Sequence, residues 1–249
     1  MTCAASRGNC VRMKRYYVII GNFGSGKTEL ALNMAFEARA KGEKVTLVDI
    51  DVINPYFRST ERKAELEAAG IRLISPNFTS SGVEVPSIPP EIFSVFSDNS
   101  DVVIFDVGGD PVGSIAMGQY YGYFKELEAF EVWYVINARR PLSSGAEENL
   151  EMLDKIMGVS RLKVTGILNN TNLAHETAPC DLFDGMEITR EVSERSGLPI
   201  IGTISTPAVL DAFLEEAEAR GVDRRYIGRP IPIERYMHRD WDRYTDKGL

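Results

Sequence analysis

One eight-residue run constrains the fold of this chain more than any other feature. Gly21-Asn-Phe-Gly-Ser-Gly-Lys-Thr28 matches the pattern G-x-x-x-x-G-K-[S/T], with an apolar strand-like run before it and apolar residues at helical spacing after it. Such a loop turns successive backbone N–H groups inward at the start of a helix, which makes an anion site without any charged side chain. We therefore expect Lys27 to contact the β- and γ-phosphates of a nucleotide and the Thr28 hydroxyl to coordinate Mg²⁺.

All eight positions of this phosphate loop are candidate nucleotide-binding residues. They are Gly21, Asn22, Phe23, Gly24, Ser25, Gly26, Lys27 and Thr28.

The rest of the 249-residue chain alternates strand-like and helix-like patterns. Apolar runs rich in Val and Ile occur at residues 16–20, 45–50, 71–74, 102–107, 132–136, 162–168 and 199–204. Most are continuous, which is typical of parallel strands covered on both faces. Helical periodicity lies between them, at residues 30–38, 147–156, 188–195 and 209–220. The pattern predicts an α/β fold, a doubly wound and mostly parallel sheet with helices on both faces.

The domain organisation expected from these patterns is one P-loop nucleotide-binding domain over residues 13–249. Residues 1–12 are polar and small, and we expect a disordered extension there, with Met13 as the natural start. Residues 75–90 contain four prolines and predict a surface loop. From residue 228 both periodicities are lost, which predicts a C-terminal tail wrapped over the surface.

A second chemical signal lies at the end of the run at residues 102–107. Asp106 ends this strand and is expected to supply a carboxylate to Mg²⁺. Gly109 completes an Asp-x-x-Gly pattern, in which the backbone N–H can bond the γ-phosphate and release it after hydrolysis.

A third signal is the pair Asp49 and Asp51 after the second strand. Two carboxylates spaced i, i+2 in an extended chain point to the same side, toward the crevice at the strand ends. One carboxylate would support the Mg²⁺ shell and the other would orient the attacking water. Lys27, Asp49 and Asp51 are thus the candidate catalytic residues. Asp49 as a simple turn cap is the alternative.

These three signals together resemble the MinD/ParA superfamily of P-loop ATPases, over residues 16 to about 221. NPYFRS after the Asp pair, DVGGD and LNNTN resemble a poorly characterised prokaryotic branch of that superfamily. The resemblance implies ATP and Mg²⁺ as cofactors and a slow ATPase. ATP is expected over GTP because the GTP-specific pattern Asn-Lys-x-Asp is absent. Asn169 would lie near the base, since an Asn side chain has one donor and one acceptor. An ordinary Asn-rich loop is the alternative.

The sequence departs from the superfamily at two points. Relatives carry a lysine after the first glycine of the loop that reaches across a dimer, and here that position is Asn22. Arg58 or Arg62 is a candidate replacement, and a nucleotide-dependent homodimer stays open. The Cys-x-x-Cys or Cys-x-Cys pattern of the iron–sulfur carriers is also missing, so no iron–sulfur cluster is expected.

Composition limits the partners. A net charge of −8 and a pI near 5.0 argue against nucleic acid, which requires a basic face. No run approaches the roughly 20 apolar residues of a membrane span, and the C-terminal run RYMHRDWDRYTDKGL lacks the basic face that anionic lipid requires. Three scattered cysteines fit a reducing cytoplasm.

Three functions remain open on the sequence. The first is a slow ATPase switch whose loops at residues 51–59 and 108–113 report the nucleotide state to an unidentified protein partner, with Pro55, Tyr56 and Phe57 as candidate contacts. The second is a P-loop kinase or ATP-dependent synthetase with an acceptor pocket near residues 75–90 and 119–123. The third is a nucleotide-binding scaffold that does not hydrolyse.

Overall fold

The strands form one parallel sheet. The computed structural model describes residues 15–51, 62–75, 90–109 and 111–237, and these ranges contain eight strands in the order β3-β2-β4-β1-β5-β6-β7-β8. The strands are β1 Arg15–Gly21, β2 Val45–Asp49, β3 Arg72–Ile74, β4 Val102–Asp106, β5 Glu131–Ile136, β6 Gly166–Asn169, β7 Ile200–Ser205 and β8 Arg229–Pro232. Because β1 lies between β4 and β5, the direction of winding reverses beside it. A crevice at the carboxyl ends of these strands is the usual ligand site of such a sheet.

Helices connect the strands. In the described ranges they are α1 Lys27–Ala40, α2 Lys63–Ala68, α3 Pro111–Gly118, α4 Tyr121–Lys125, α5 Ala146–Ser160, α6 Pro179–Ser196 and α7 Pro207–Ala219. Proline at the first helical turn begins α6 and α7, where its missing N–H costs no hydrogen bond.

The sheet is buried on both faces, which explains the continuous apolar runs. Alternate residues of β1 enter different cores, with Val18 and Ile20 on one face and Ile19 on the other. The first face packs against α3 and α5, and the second packs against α1. A third cluster joins α6 to α7 through Phe183 and Phe213, whose ring centroids lie 4.7 Å apart.

The predicted fold class is confirmed, and the C-terminal prediction needs a correction. Residues 229–232 were expected to be irregular, but they form the edge strand β8, parallel to β7. Pro230 and Pro232 hide this strand from a propensity argument, since proline cannot donate to a ladder and is tolerated mainly at a sheet edge. The helices α3 and α4 were also not predicted.

Candidate functional site

A cavity of about 640 Å³ opens at the carboxyl edge of the sheet. Its walls come from the segments that follow β1, β2, β4, β5, β6 and β8, and from the end of β7. The lining residues are Phe23, Gly24, Gly26, Lys27, Thr28, Glu29, Asp51, Gly109, Arg140, Pro141, Leu142, Asn170, Asn172, Ala174, Thr177, Ser205, Thr206, Ile233, Arg235 and Met237. The phosphate loop therefore opens into a space bounded by residues from the whole length of the sheet.

The start of α1 has the form of an anion site. Gly26 precedes the helix with a φ of 89°, in the left-handed region that favours glycine, and no side chain caps the helix N-terminus. The start of this 14-residue helix therefore has the backbone arrangement of an anion site. Lys27 is buried, and its Nζ donates to the carbonyl of Asn22 at 3.0 Å, which holds the ammonium group against the loop.

Five of the eight predicted loop residues line the cavity, and the other three lie behind it. Asn22 is 2% exposed; its amide donates to the carbonyl of Leu142, and its Oδ1 accepts from the N–H of Phe23 at 2.9 Å. Ser25 is buried, and Gly21 packs so closely on Val135 that a side chain would meet its carbonyl. Asn22 is therefore part of the loop's own hydrogen bonding.

The structure separates the predicted carboxylates into a wall residue and two buried residues. Asp51 lines the cavity, whereas Asp49 is 0% exposed and accepts from the N–H of Asp51 at 3.0 Å through its Oδ1. Asp106, at 2% exposed, stands beside Asp49 as its register partner on the neighbouring strand. Neither Asp49 nor Asp106 lines the cavity. Asp51 is thus the member of the pair that faces the ligand space.

The glycine turn after β4 lies directly against the phosphate loop. A Cβ on Gly109 would stand 2.6 Å from the Cα and 2.7 Å from the N of Phe23. A Cβ on Gly108 would stand 3.3 Å from Oδ1 of Asp51, and one on Gly113 would meet the backbone of Gly108 at 2.9 Å. The loops after β1, β2 and β4 therefore touch one another at this point.

The predicted Mg²⁺ ligands are oxygen donors, which this ion prefers. This ion takes hard oxygen ligands and is usually held by one or two carboxylates together with substrate phosphates and water. The hydroxyl of Thr28 lines the cavity, and the carboxylates of Asp49 and Asp106 end the adjacent strands. Within the described ranges no group of three or more His, Cys, Asp or Glu side chains could hold a metal ion by itself. A Mg²⁺ ion here would depend on phosphate oxygens.

The assignment of Asn169 to the base needs a correction. Its side chain is 0% exposed; the amide donates to the carbonyl of Leu182 at 3.0 Å, and Oδ1 accepts from the N–H of Thr171 at 3.1 Å. Asn170 and Asn172 line the cavity in its place. The hydrogen bond to Leu182 holds the Asn169 side chain against α6 and away from the cavity wall.

Asn170 connects the β6 loop to the phosphate loop. Its amide donates to the carbonyl of Ser25 at 2.7 Å, and it packs against Gly26 where a side chain would otherwise stand. The amide of Asn172 donates to the carbonyl of Asn170 at 2.7 Å. This network fixes the loops after β1 and β6 relative to each other.

The two arginines after β5 have different surroundings. Arg139 forms ion pairs with Asp181 at 2.7 Å and with Asp184 at 2.6 Å, and its hydrogen bond to Asp181 raises its pKa. Arg140 lines the cavity, and its Nε donates to the carbonyl of Gly24 at 3.2 Å.

One of the two arginines proposed to replace the missing lysine lies within the described residues. Arg62 bonds Glu65 at 2.6 Å and the carbonyl of Tyr236, and it does not line the cavity. Arg58 lies outside the described residues, as do Pro55, Tyr56 and Phe57.

The far end of the cavity was missed from the sequence. Ser205 and Thr206 follow from β7, and Ile233, Arg235 and Met237 follow from β8. No local motif marks these residues, because the sheet order alone brings them beside the loop after β1.

Glu29 forms part of the wall beside this far end. It is partly buried, and burial raises the pKa of its carboxyl group. The N–H groups of Tyr236 and Met237 donate to that carboxylate and act in the opposite direction, by favouring its charged form.

The predicted acceptor pocket is only partly described. Residues 76–89 lie outside the described ranges. Residues 119–123 run from the end of α3 into α4, and none of them lines the cavity.

Two exposed apolar side chains stand at the cavity wall. Phe23 is 59% exposed and Leu142 is 65% exposed.

In the part of the chain that the structure describes, no helix has both the length and the apolar character needed to cross a membrane.

Comparisons with known proteins support the fold. No protein-family model and no curated protein matches the sequence. Among solved structures, the cell division protein FtsY of Thermotoga maritima has a TM-score of 0.50 at 20% identity, over 78% of this chain and 62% of that one. FtsY of Mycoplasma mycoides has a TM-score of 0.51 at 16% identity, over 78% of this chain and 60% of that one. The 54 kDa signal recognition particle protein of Aeropyrum pernix, in complex with GDP, has a TM-score of 0.52 at 21% identity, over 85% of this chain and 50% of that one.

These similarities establish the architecture. The chain spans between half and about three fifths of the length of these neighbours. It has an α/β P-loop NTPase fold, and its own residues must support any more specific function.

Proposed function

We propose that this protein is a Mg²⁺-dependent nucleoside triphosphatase, with ATP as the first candidate nucleotide, that acts as a slow switch. The observation that carries the proposal is the uncapped N-terminus of α1, which opens into a cavity with Asp51 and Gly109 in its wall. A phosphate chain bound at this helix start would lie beside both of the loops that follow β2 and β4.

The residues of the loop bind and orient the phosphates. The N–H groups at the start of α1 supply fixed partial positive charge, and Lys27 supplies a full one. Gly109 offers its backbone N–H where the loop after β4 touches Phe23. Arg140, held on the carbonyl of Gly24, is the cation at the cavity that would stabilise charge as the terminal phosphate leaves.

Asp51 is the residue that we assign to the attacking water. Its place in the wall lets the carboxylate orient a water molecule, an effect worth roughly 10²–10⁴ in rate. Thr28 and Asp106, with Asp49 behind them, would hold Mg²⁺, which neutralises charge on the phosphates when it is bound. Asp49 also positions Asp51 through its hydrogen bond to the Asp51 N–H.

ATP is the first candidate because, at the described base end of the cavity, no carboxylate other than the engaged Glu29 could read guanine. Among the described lining residues the acids are Asp51, which is on the phosphate side, and Glu29, which accepts from two backbone N–H groups. GTP is the second candidate, since a solved structure of the same fold contains GDP. The resemblance to MinD/ParA proteins agrees with ATP.

The switch part of the proposal rests on the contact between the loops. Gly108 approaches Asp51, and Gly109 approaches Phe23, so a change at the terminal phosphate reaches both loops and the exposed Phe23 ring. We propose that a protein partner, with a second copy of this chain as one candidate, distinguishes the two nucleotide states at this surface.

Phosphate release from ATP and Mg²⁺ tests the function. We expect slow release by the wild type, none after Mg²⁺ is chelated, and none from Lys27→Ala, which loses the loop cation. Lys41→Ala is the matched control, because this exposed lysine pairs with Glu37 near the end of the same helix and does not line the cavity. A folded Lys27→Ala protein with normal affinity and rate would contradict the proposal.

The same assay separates the other two functions. Phosphate transfer that appears only when a small acceptor is added would indicate a kinase or synthetase. Tight binding of ATP without release under any condition would indicate a scaffold.

A further inference from the structure

Residues 233–237 continue beyond β8 along the far end of the cavity. Ile233, Arg235 and Met237 line the cavity, whereas Glu234 and Tyr236 do not. This alternation is that of an extended chain, in which residues i, i+2 and i+4 share one side. The segment therefore presents three side chains to the ligand space and turns its other side toward α1.

The segment is bound to α1 through a matched pair of hydrogen bonds. The side chain of Asn33 donates to the carbonyl of Glu234 at 2.8 Å and accepts from the N–H of Glu234 at 2.8 Å. This bonding uses the donor and the acceptor of a single backbone residue, as a strand ladder would.

Two further residues of α1 extend the attachment. The carboxylate of Glu29 accepts from the N–H groups of Tyr236 and of Met237, the latter at 3.1 Å. The rings of Phe36 and Tyr236 lie 4.9 Å apart between centroids. The anchors at residues 29, 33 and 36 are spaced i, i+4 and i+7, so they form one stripe of the helix.

The path of this segment along α1 indicates which part of a ligand it meets. It returns from the edge strand β8 to the side of α1, with Glu234 on Asn33 and Met237 on Glu29, the residue after Thr28. The phosphate groups are expected at the start of α1. A ligand that binds its phosphates there can place its sugar and base beside this segment.

The side chains at this end suit a nucleobase. The planar guanidinium of Arg235 can stack on a base, and the thioether of Met237 makes favourable contacts with aromatic rings. Ser205 and Thr206 add hydroxyl groups that both donate and accept. Ile233 is buried and belongs to the core cluster that includes α1.

We propose that residues 233–237 form the nucleobase wall of the nucleotide site, with Arg235 and Met237 as the residues that contact the base. This inference rests on the proposed function. It also means that α1 carries the phosphate-binding residues at its start and the base wall on its side, so the two ends of the nucleotide are held by one rigid helix.

Binding of three ligands to the full chain tests this inference. Isothermal titration calorimetry with ATP, GTP and inorganic tripolyphosphate, each with Mg²⁺, separates the base end from the phosphate end. Arg235→Ala and Met237→Ala should each weaken at least the preferred nucleoside triphosphate about tenfold or more. Both variants should bind tripolyphosphate within about twofold of the wild type.

Conservative and neighbouring substitutions keep the test sharp. Met237→Leu retains the apolar volume and should bind the nucleotide nearly as tightly as the wild type. Arg235→Lys retains the charge but lacks the planar guanidinium, so its nucleotide affinity should lie between those of the wild type and Arg235→Ala. Arg224→Ala is the matched control, since this exposed arginine lies outside the segment and does not line the cavity. Thermal unfolding followed by circular dichroism identifies any variant that has lost its fold.

The outcomes distinguish this inference from the function beneath it. Nucleoside triphosphate affinity unchanged in both alanine variants would overturn the inference and leave the proposed function intact. Equal losses for tripolyphosphate and nucleotide would also overturn it, because the residues would then serve the phosphates. A wild-type protein that binds none of the three ligands would contradict the proposed function itself.

Discussion

Asp49 and Asp106 are register partners at the carboxyl ends of β2 and β4, and both are buried. Two carboxylates side by side at the end of a parallel sheet repel each other unless a cation or hydrogen-bond donors offset their charge. Asp51 follows two residues after Asp49 and lines the cavity, and its N–H donates to the Asp49 carboxylate, which holds it in position. The three acids therefore have different environments, and their substitutions should have different effects.

Asp51→Ala should retain ATP and Mg²⁺ binding while slowing hydrolysis roughly 10²-fold or more, because only the orientation of water is lost. Asp106→Ala should instead weaken Mg²⁺-dependent binding, since it removes a carboxylate on the metal side. Calorimetry and phosphate release on the same samples distinguish the two. If Asp51→Ala hydrolyses ATP at the wild-type rate and Asp49→Ala is inactive, then Asp49 is the residue that orients the water.

Gly109→Ala should impair the site because its added methyl group would meet the backbone of Phe23 at 2.6 Å. The phosphate loop or the turn after β4 must shift, so we expect hydrolysis to fall about tenfold or more. Gly158→Ala is the matched control: a Cβ there meets nothing within 4 Å, and alanine should stabilise the interior of α5 by about 0.5–1 kcal/mol. Equal hydrolysis rates in the two variants would show that the close packing of Gly109 on Phe23 is not needed for hydrolysis.

Arg140→Ala should lower the hydrolysis rate about tenfold or more with little change in ATP affinity, since a cation near the leaving phosphate acts mainly in the transition state. Arg139→Ala provides the contrast. Its side chain pairs with Asp181 and Asp184, so its loss should lower the melting temperature and leave the rate unchanged. Single-turnover kinetics and thermal unfolding measure both effects, and a rate loss confined to Arg139→Ala would exclude the assignment of Arg140.

ATP should bind more tightly than GTP by at least about tenfold, which corresponds to about 1.4 kcal/mol. The reason is the absence of the Asn-Lys-x-Asp pattern and of a carboxylate, other than the engaged Glu29, at the described base end of the cavity. Competition between the two nucleotides for a fluorescent analogue measures the ratio. Equal or tighter binding of GTP would identify the second candidate as the ligand.

Agreement between sequence and structure is closest where the information is local. The strand, the glycine turn and the helix from Arg15 to Ala40 are contiguous, and each step follows from the conformational limits of the residues that form it. The fold class followed for a similar reason, because continuous apolar runs between helices fit only a sheet covered on both faces. β8 was missed, since its two prolines oppose the strand signal and only pairing with β7 stabilises it.

The sequence by itself thus determined the glycine-rich loop and the helix that follows it, and the tertiary structure decided which other residues share the cavity with them. Arg140 and Met237 lie more than a hundred residues from the phosphate loop, and only the order of the strands brings them to one cavity. The difference between Asn169 and Asn170 shows the same limit: the side chain of Asn169 is buried against Leu182 of α6, whereas Asn170 bonds Ser25 and lines the cavity. These contacts join separate segments of the chain, and the residues of β6 alone do not contain them.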